Sequence, residues 1–325
     1  MAIPYALASM ILQEHRYRPI TGKILLIGRQ TIDMDVQTAI ELVESILGQV
    51  RTVSPLLDQS TRARADKSIS RETVSDVGFF GLFTDATVTA VDVTDYEGAE
   101  IVHDMCTKLP SHMIENYDFI FNGSCLDNIF DVAAAMRNFG LCLKPAGRIF
   151  QVEAASSSTA AYHVFSPEWF LDFFIANDWE DGSVYICRVG HEIGGFGFLK
   201  NPWDIYHWQP FSLDSDETLS GNGARSYTYR KKSRSLIVGM EFTVSVAQRG
   251  KGTVHVNPIQ AVYRSDKMIQ SESTAVGRWL MSDRNRYVGQ DTGPHYPYSA
   301  PPAYKQAEQS YEYCGTIRYP DDEMD

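Results

Sequence analysis

Two side chains in this sequence are placed to take a proton from a substrate. His163 lies in the loop SSSTAAYHVFSPEWF, and an imidazole titrates close to neutrality. Asp127 lies in GSCLDN and offers a carboxylate. Each has a plainer alternative that the residues leave open. A loop histidine serves equally as a structural group, and Asp127 equally as a helix-start aspartate paired with Asn128. No His/Asp/Glu set at ligand spacing accompanies either residue, so the pattern does not point to a metal-dependent mechanism. The five cysteines, Cys106, Cys125, Cys142, Cys187 and Cys314, are odd in number and scattered, with no CxxC pair. They read as reduced, mostly buried thiols.

The elements that must position these groups follow from hydrophobic periodicity. KILLIGRQ (23–30) is an apolar run ending in glycine, as in a buried parallel strand feeding a tight turn. Val36, Ala39, Ile40, Val43, Ile46 and Leu47 then recur at helical spacing, opened by Asp33 and Asp35 and closed by Gly48. A helix is expected over 70–83 from Val74, Val77, Phe80 and Phe83. Strands follow at VTAVDV (88–93) and YDFIFNG (117–123), then a helix opening near Asp131, a turn LKPAGR (143–148), and a strand IFQVE (149–153). Ser166, Pro167 and Glu168 mark a helix start with a serine cap, and VYICRV (184–189) follows that helix. This alternation predicts an α/β fold, a doubly wound and mainly parallel sheet with helices on both faces. In such a sheet, ligands sit outside the carboxyl ends of the strands. The stretches that bear on function are therefore 28–30, 92–95, 122–127 and 153–163.

From 236 to 264 the period changes to alternation (Met240, Phe242, Val244, Val246), with a turn at RGKG and a second strand at TVHV. That predicts an antiparallel C-terminal β-hairpin outside the main sheet. Residues 286–325 are rich in Tyr, Pro, Gly and acids and read as a surface-wrapping or disordered tail. The expected units are an N-terminal segment (1–22), the α/β domain (23–210), a β-rich extension (211–285) and the tail (286–325). The hairpin and tail are expected to form either an acceptor lid or the interface of a homo-oligomer, and the sequence leaves both open. The aromatic group Trp203, Tyr206, His207, Trp208 and Phe211 reads as core or as a cover over the sheet edge.

The net charge of −12 argues against a nucleic-acid partner, because phosphate binding needs clustered Lys and Arg. RKKSR (230–234) is a local exception, read as a solvated turn or as a contact for an anionic acceptor. No apolar run approaches the ~20 residues that span a bilayer, and Glu14, His15 and Arg16 interrupt the first twenty, so a cytoplasmic location is expected.

The stretch YDFIFNGSCLDNIFDVAAAMRNFGLCLKPAGRIFQVE (117–153) resembles the second half of class I, S-adenosylmethionine-dependent methyltransferases. In these a strand like FDxV leads to a loop, a helix and an LKPGG turn. Asp118, Lys144, Pro145 and Gly147 keep the pattern, with Ala146 in place of one glycine. The resemblance covers roughly residues 20–210. It implies S-adenosylmethionine as cofactor, with Asp92 accepting from the ribose hydroxyls and Asp104, ahead of an LP pair, taking the adenine amino group. A carboxylate suits two vicinal hydroxyls because it only accepts. It further implies that Gly28, Arg29, Gln30, Asn122 and Ser124 line the cofactor, and that the acceptor is a small molecule or carbohydrate. Some of the proteins it resembles are encoded near genes for bacterial surface polysaccharides. The glycine loop departs from the family. Only Gly28 survives, with Leu26 at the acidic position, Gln30 at the second glycine and Ile32 at the third. Arg29 and Gln30 would crowd an ordinary cofactor pose. Either Gln30 and Thr31 hold the methionine end differently, or the domain is a catalytically silent relative used for binding or assembly. A nicotinamide-dependent oxidoreductase is a weaker reading, since GRQTID does not supply GxGxxG.

Overall fold

A computed structural model describes residues 2–52, 57, 73–156, 162–190, 201–208, 241–258 and 311–318. In chain order the elements are β1 (Ala2–Ile3), α1 (Tyr5–Tyr17), β2 (Lys23–Ile27), β3 (Thr31–Asp35), α2 (Val36–Leu47), β4 (Thr73–Ser75), α3 (Asp76–Gly81), β5 (Thr87–Asp92), β6 (Ile101–Val102), β7 (Tyr117–Gly123), α4 (Val132–Cys142), β8 (Leu143–Ala154), α5 (Pro167–Ala176), β9 (Glu180–Val189), β10 (Trp203–Trp208), β11 (Glu241–Gln248) and β12 (Tyr311–Ile317).

Nine strands form one sheet in the order β12-β10-β9-β11-β8-β7-β2-β5-β6. From β6 to β8 every neighbouring pair is parallel. From β8 outward every pair is antiparallel. Along the parallel half the chain starts at β2, fills outward through β5 and β6, and returns to place β7 and β8 on the other side. The strand order therefore reverses between β2 and β7, and that is where a doubly wound sheet opens a ligand crevice.

Both faces are covered, which is why these strands read as continuous apolar runs. Ile24, Leu26, Phe119, Phe121 and Phe150 pack in one core with residues of α1, α2 and α3. Their alternates Leu25, Ile27, Ile120 and Ile149 pack in a second core with α4 and α5. The α/β doubly wound expectation holds. So do two helix starts: Asp35 accepts from Thr38 N at 2.8 Å and Asp131 from Ala134 N at 3.1 Å. Gly48 closes α2 at φ 72°, a left-handed position that favours glycine. Ser166 precedes α5, but its side chain makes no capping hydrogen bond.

Three expectations are corrected. The helix over 70–83 is instead the short strand β4 followed by the short helix α3. Val74 lies in β4, the edge of a three-stranded sheet β1-β3-β4, and the Phe79, Phe80 and Phe83 rings cluster on one another. The described residues do not form the hairpin outside the main sheet. β11 lies inside the main sheet between β8 and β9, and 253–256 is not a strand. The cause is chemical: Thr243 and Ser245, which alternate with Val244 and Val246, face not water but a buried polar row formed with Gln151 and Glu153 of β8. Third, part of the supposed tail is strand β12, which pairs with β10. Trp203, Tyr206 and His207 are buried, in line with the core reading, while Phe211 and the basic stretch 230–234 lie outside the described residues. No helix among the described residues is long and apolar enough to cross a membrane.

Candidate ligand crevice

At the carboxyl end of β2 the chain turns at Gly28, whose φ of 71° is a conformation that glycine adopts without strain. Gly28 N donates to Val91 O at 2.8 Å, so the turn is anchored to β5. Asp92 follows at the tip of β5, half-buried, and its Oδ2 stands 3.6 Å from where a Cβ on Gly28 would be. Oδ1 accepts only a long bond, 3.4 Å, from Thr94 N. The carboxylate thus keeps lone pairs free beside a glycine that leaves room for a ligand. Cys125 Sγ lies 3.4 Å from the same Cβ position and donates to Ile27 O at 2.9 Å. Burial pushes its thiol up to about 12, so it is no nucleophile at neutral pH.

On the β7 side the polar groups are saturated by one another. Glu153, fully buried at the end of β8, accepts from Asn122 Nδ2 at 2.6 Å, Leu126 N at 3.0 Å and Asp127 N at 3.0 Å. Burial without a counter-cation raises Glu153 well above the ordinary carboxylate range; the Asp127 charge adds to the rise, and the three donors offset part of it. Asn122 Oδ1 in turn accepts from Cys125 N at 3.1 Å. Ser124 sits at φ 59°, a left-handed conformation rare for a residue with a side chain, and its hydroxyl donates to Asp127 Oδ2. Asn128 Nδ2 donates to Asp127 Oδ1 at 2.6 Å. Burial raises Asp127 as well.

The main chains of the two candidate bases adjoin. His163 N donates to Asp127 O at 3.2 Å, and its Nε2 stands 3.3 Å from Phe130 O. They differ in access: Asp127 is 4% exposed with both oxygens engaged, whereas His163 is half-buried. Its ring neighbours Phe130, 80% exposed, which also stacks edge-on against Tyr162 at 5.9 Å. Asp104 is exposed beyond β6, and its Oδ1 accepts from Cys106 N at 2.8 Å, a local turn bond.

The glycine-loop positions divide. Arg29 is held by Asp76 at 3.2 Å and by Glu100. Gln30 is 3% exposed; its Nε2 donates to Ile27 O at 3.1 Å and Gly28 O at 3.2 Å, and its backbone N to Asp76 Oδ2 at 3.0 Å. Its Oε1 is buried without a hydrogen-bond partner and lies against Gly123, where a Cβ would overlap it. Beyond it Thr31–Asp35 is strand β3, so α2 begins only at Val36 and its amino end does not open directly from the loop. The two sides of the turn thus differ: Asp92 is half-buried with a free acceptor, whereas Gln30 is packed into the fold.

Sequence reasoning placed Glu153 at the head of the stretch 153–163 without giving it a role, and it missed Asp76 and Glu100. Glu153 carried a signal, a charge closing the apolar run IFQVE one strand over from Asn122. Asp76 and Glu100 carried none, because their partner Arg29 is distant in sequence. Among the described residues no group of three His, Cys, Asp or Glu is placed to hold a metal ion.

No protein-family model and no curated protein sequence matches the chain. Solved structures that align with it include phosphoethanolamine N-methyltransferase 2 of Haemonchus contortus in complex with S-adenosyl-L-methionine, at 12% identity and TM-score 0.35 over 75% of this chain and 52% of that one. Another is 1,6-didemethyltoxoflavin-N1-methyltransferase of Burkholderia thailandensis, at 12% identity and TM-score 0.33 over 76% and 78%. A third is a SAM-dependent methyltransferase of Archaeoglobus fulgidus, at 11% identity and TM-score 0.36 over 75% and 94%. The chain spans about half the length of the Haemonchus protein. Scores this low carry no argument, and the fold assignment rests on the strand order and the two packed faces.

Proposed function

We propose that the chain is an S-adenosylmethionine-dependent methyltransferase acting on a small-molecule or carbohydrate acceptor in surface polysaccharide synthesis. The observation that carries this reading is the Asp92 carboxylate, half-exposed and free to accept, set beside Gly28 at the point where the strand order reverses. Asp92 would receive the ribose hydroxyls, and Asp104 beyond β6 would face the adenine. Asn122 and Ser124 shape the floor at β7 from within the Glu153 network. When bound, the cofactor supplies an electrophilic methyl group. The protein's part is alignment of the acceptor and removal of its proton. His163 is the better placed base, because it is accessible and stands beside the exposed Phe130 and Tyr162 rings that suit a flat or sugar acceptor.

The second reading, a catalytically silent relative that binds or assembles, is favoured by Gln30, which fills the methionine end. Calorimetric titration with S-adenosylhomocysteine separates the two. Binding by the wild-type chain that weakens at least about tenfold in Asp92→Ala supports the first, a loss of the order expected for a charge-assisted pair of hydrogen bonds. No heat at millimolar ligand with either chain removes it.

A further inference from the structure

Gln30 stands where the strand order reverses, between the turn at Gly28 and the carboxyl end of β7. Three facts describe its side chain. It is 3% exposed, so it is packed as core although it belongs to a loop on the ligand edge. Its two amide hydrogens are taken by Ile27 O and Gly28 O, main-chain acceptors at the lip of β2. Its Oε1 has no partner and presses on Gly123, the one residue type there that leaves it room. A carboxamide held by backbone carbonyls in a crevice, with an unsatisfied acceptor, is placed as the end of a bound ligand would be. It is also a less stable occupant than one whose every polar atom is paired.

We propose that Gln30 is a built-in occupant of the crevice and the determinant of its ligand class. With Gln30 in place, the site takes a nucleoside through its vicinal hydroxyls at Asp92. It admits a nucleoside bearing an amino-acid arm only when Gln30 gives way. Two arms of one crevice thus behave differently: Gly28 and Asp92 leave space, whereas Gln30 and Gly123 close it. The inference rests on the reading of Asp92 as the acceptor for the ribose hydroxyls, and it goes beyond that reading by assigning what the neighbouring arm selects.

The test compares adenosine with S-adenosylhomocysteine, which share the nucleoside and differ by the arm, on wild type, Gln30→Ala and Gln30→Gly. Displacing a resident side chain lowers apparent affinity by the fraction of time the site is open, so opening it should tighten S-adenosylhomocysteine by about tenfold and leave adenosine within about twofold. Side-chain amide resonances of Gln30 in the wild-type chain give a readout that needs no variant. They should be protected in the free protein and with adenosine, and should move to solvent-exchanging positions with S-adenosylhomocysteine. Equal affinity of the wild-type chain for both compounds, or unchanged S-adenosylhomocysteine affinity in both variants, overturns the proposal while leaving the Asp92 reading intact. Adenosine binding that survives in Asp92→Ala overturns the Asp92 reading instead. Failure of both compounds on every chain overturns both.

Discussion

Two turns in this molecule lack a glycine of the methyltransferase pattern that the sequence resembles, and they differ in conformation. In the LKPAGR turn, Ala146 keeps a left-handed backbone at φ 67°, and the register there is pinned by Ala146 N donating to Arg249 O at 2.8 Å. The conformation was preserved, and the alanine bears the strain. At the carboxyl end of β2, Gln30 is not left-handed, the following residues form β3 rather than a helix start, and the side chain is folded into the core. Here the conformation was given up. A structural turn whose hydrogen bonds require one shape tolerates strain, whereas the stretch after Gly28 is folded around the Gln30 side chain.

The largest effect expected from this contrast is at Gln30. Gln30→Gly supplies the glycine of the pattern that the sequence resembles but removes two buried hydrogen bonds and the packing against Gly123, and adds backbone freedom to the unfolded chain. It should therefore destabilise by about 2 kcal/mol, read from the midpoint of urea denaturation. A stability unchanged or raised would mean that the loop is still built for glycine, and the contrast with Ala146 would fail.

A somewhat smaller effect belongs to the network beside it. Both oxygens of Glu153 accept, so Glu153→Gln sets an amide NH2 against Asn122 Nδ2 and Leu126 N or against Asp127 N, at a cost of about 1–2 kcal/mol. The sign of the pH dependence follows from the raised carboxyl. The unfolded chain ionises through the ordinary glutamate range near pH ~4.3 while the folded chain retains its proton. The Glu153 contribution is then complete below that range and is lost as pH rises through the raised folded value. Denaturation from about pH 4 to pH 8 should show a fall in wild-type stability that is shallower in Glu153→Gln. Equal slopes would show Glu153 to be charged in the fold, held so by its three donors.

The same division explains what could be read from the sequence. Strands β2, β5, β7 and β8 and helices α2 and α4 were legible because both faces of the parallel half are apolar and the helix starts carry Asp35 and Asp131. The stretches holding Gly28, Asp92, Asn122 and Ser124 followed from the ends of the expected strands and from the resemblance, whereas the reversal between β2 and β7 needed the strand order of the structure. β11 was not legible as a central strand. Its Thr243 and Ser245 look solvent-facing until Gln151 and Glu153 are seen opposite them, a pairing about ninety residues away. Asp127 was legible as a polar loop residue but not as a buried one, since the groups that engage it, Ser124 and Asn128, would serve an exposed turn equally well. Gln30 could be seen to crowd a ligand. That it occupies the ligand's place depends on Gly123, whose missing Cβ means something only once β2 and β7 are neighbours.

The smallest effect is the one that tests the other half of the contrast. If Ala146 holds a conformation meant for glycine, Ala146→Gly removes a left-handed penalty of about 1 kcal/mol. The added freedom of the unfolded chain returns part of it, so the net gain should be about 0.5 kcal/mol. The turn is closed by Arg249 N donating to Gly147 O at 2.8 Å as well as by Ala146 N, so the variant has no reason to change shape, and the gain should appear as a raised denaturation midpoint with an unchanged slope. The mirror experiment, Gly147→Ala, should destabilise, because its Cβ would stand 2.9 Å from Lys144 O and 3.1 Å from Tyr117 O, both main-chain atoms that cannot swing aside. A gain at 146 with a loss at 147 would show that the turn still requires its family shape, with one glycine replaced at the position where the strain is bearable. A loss at both would place Ala146 among residues kept for packing, and the two glycine losses would then have the same explanation.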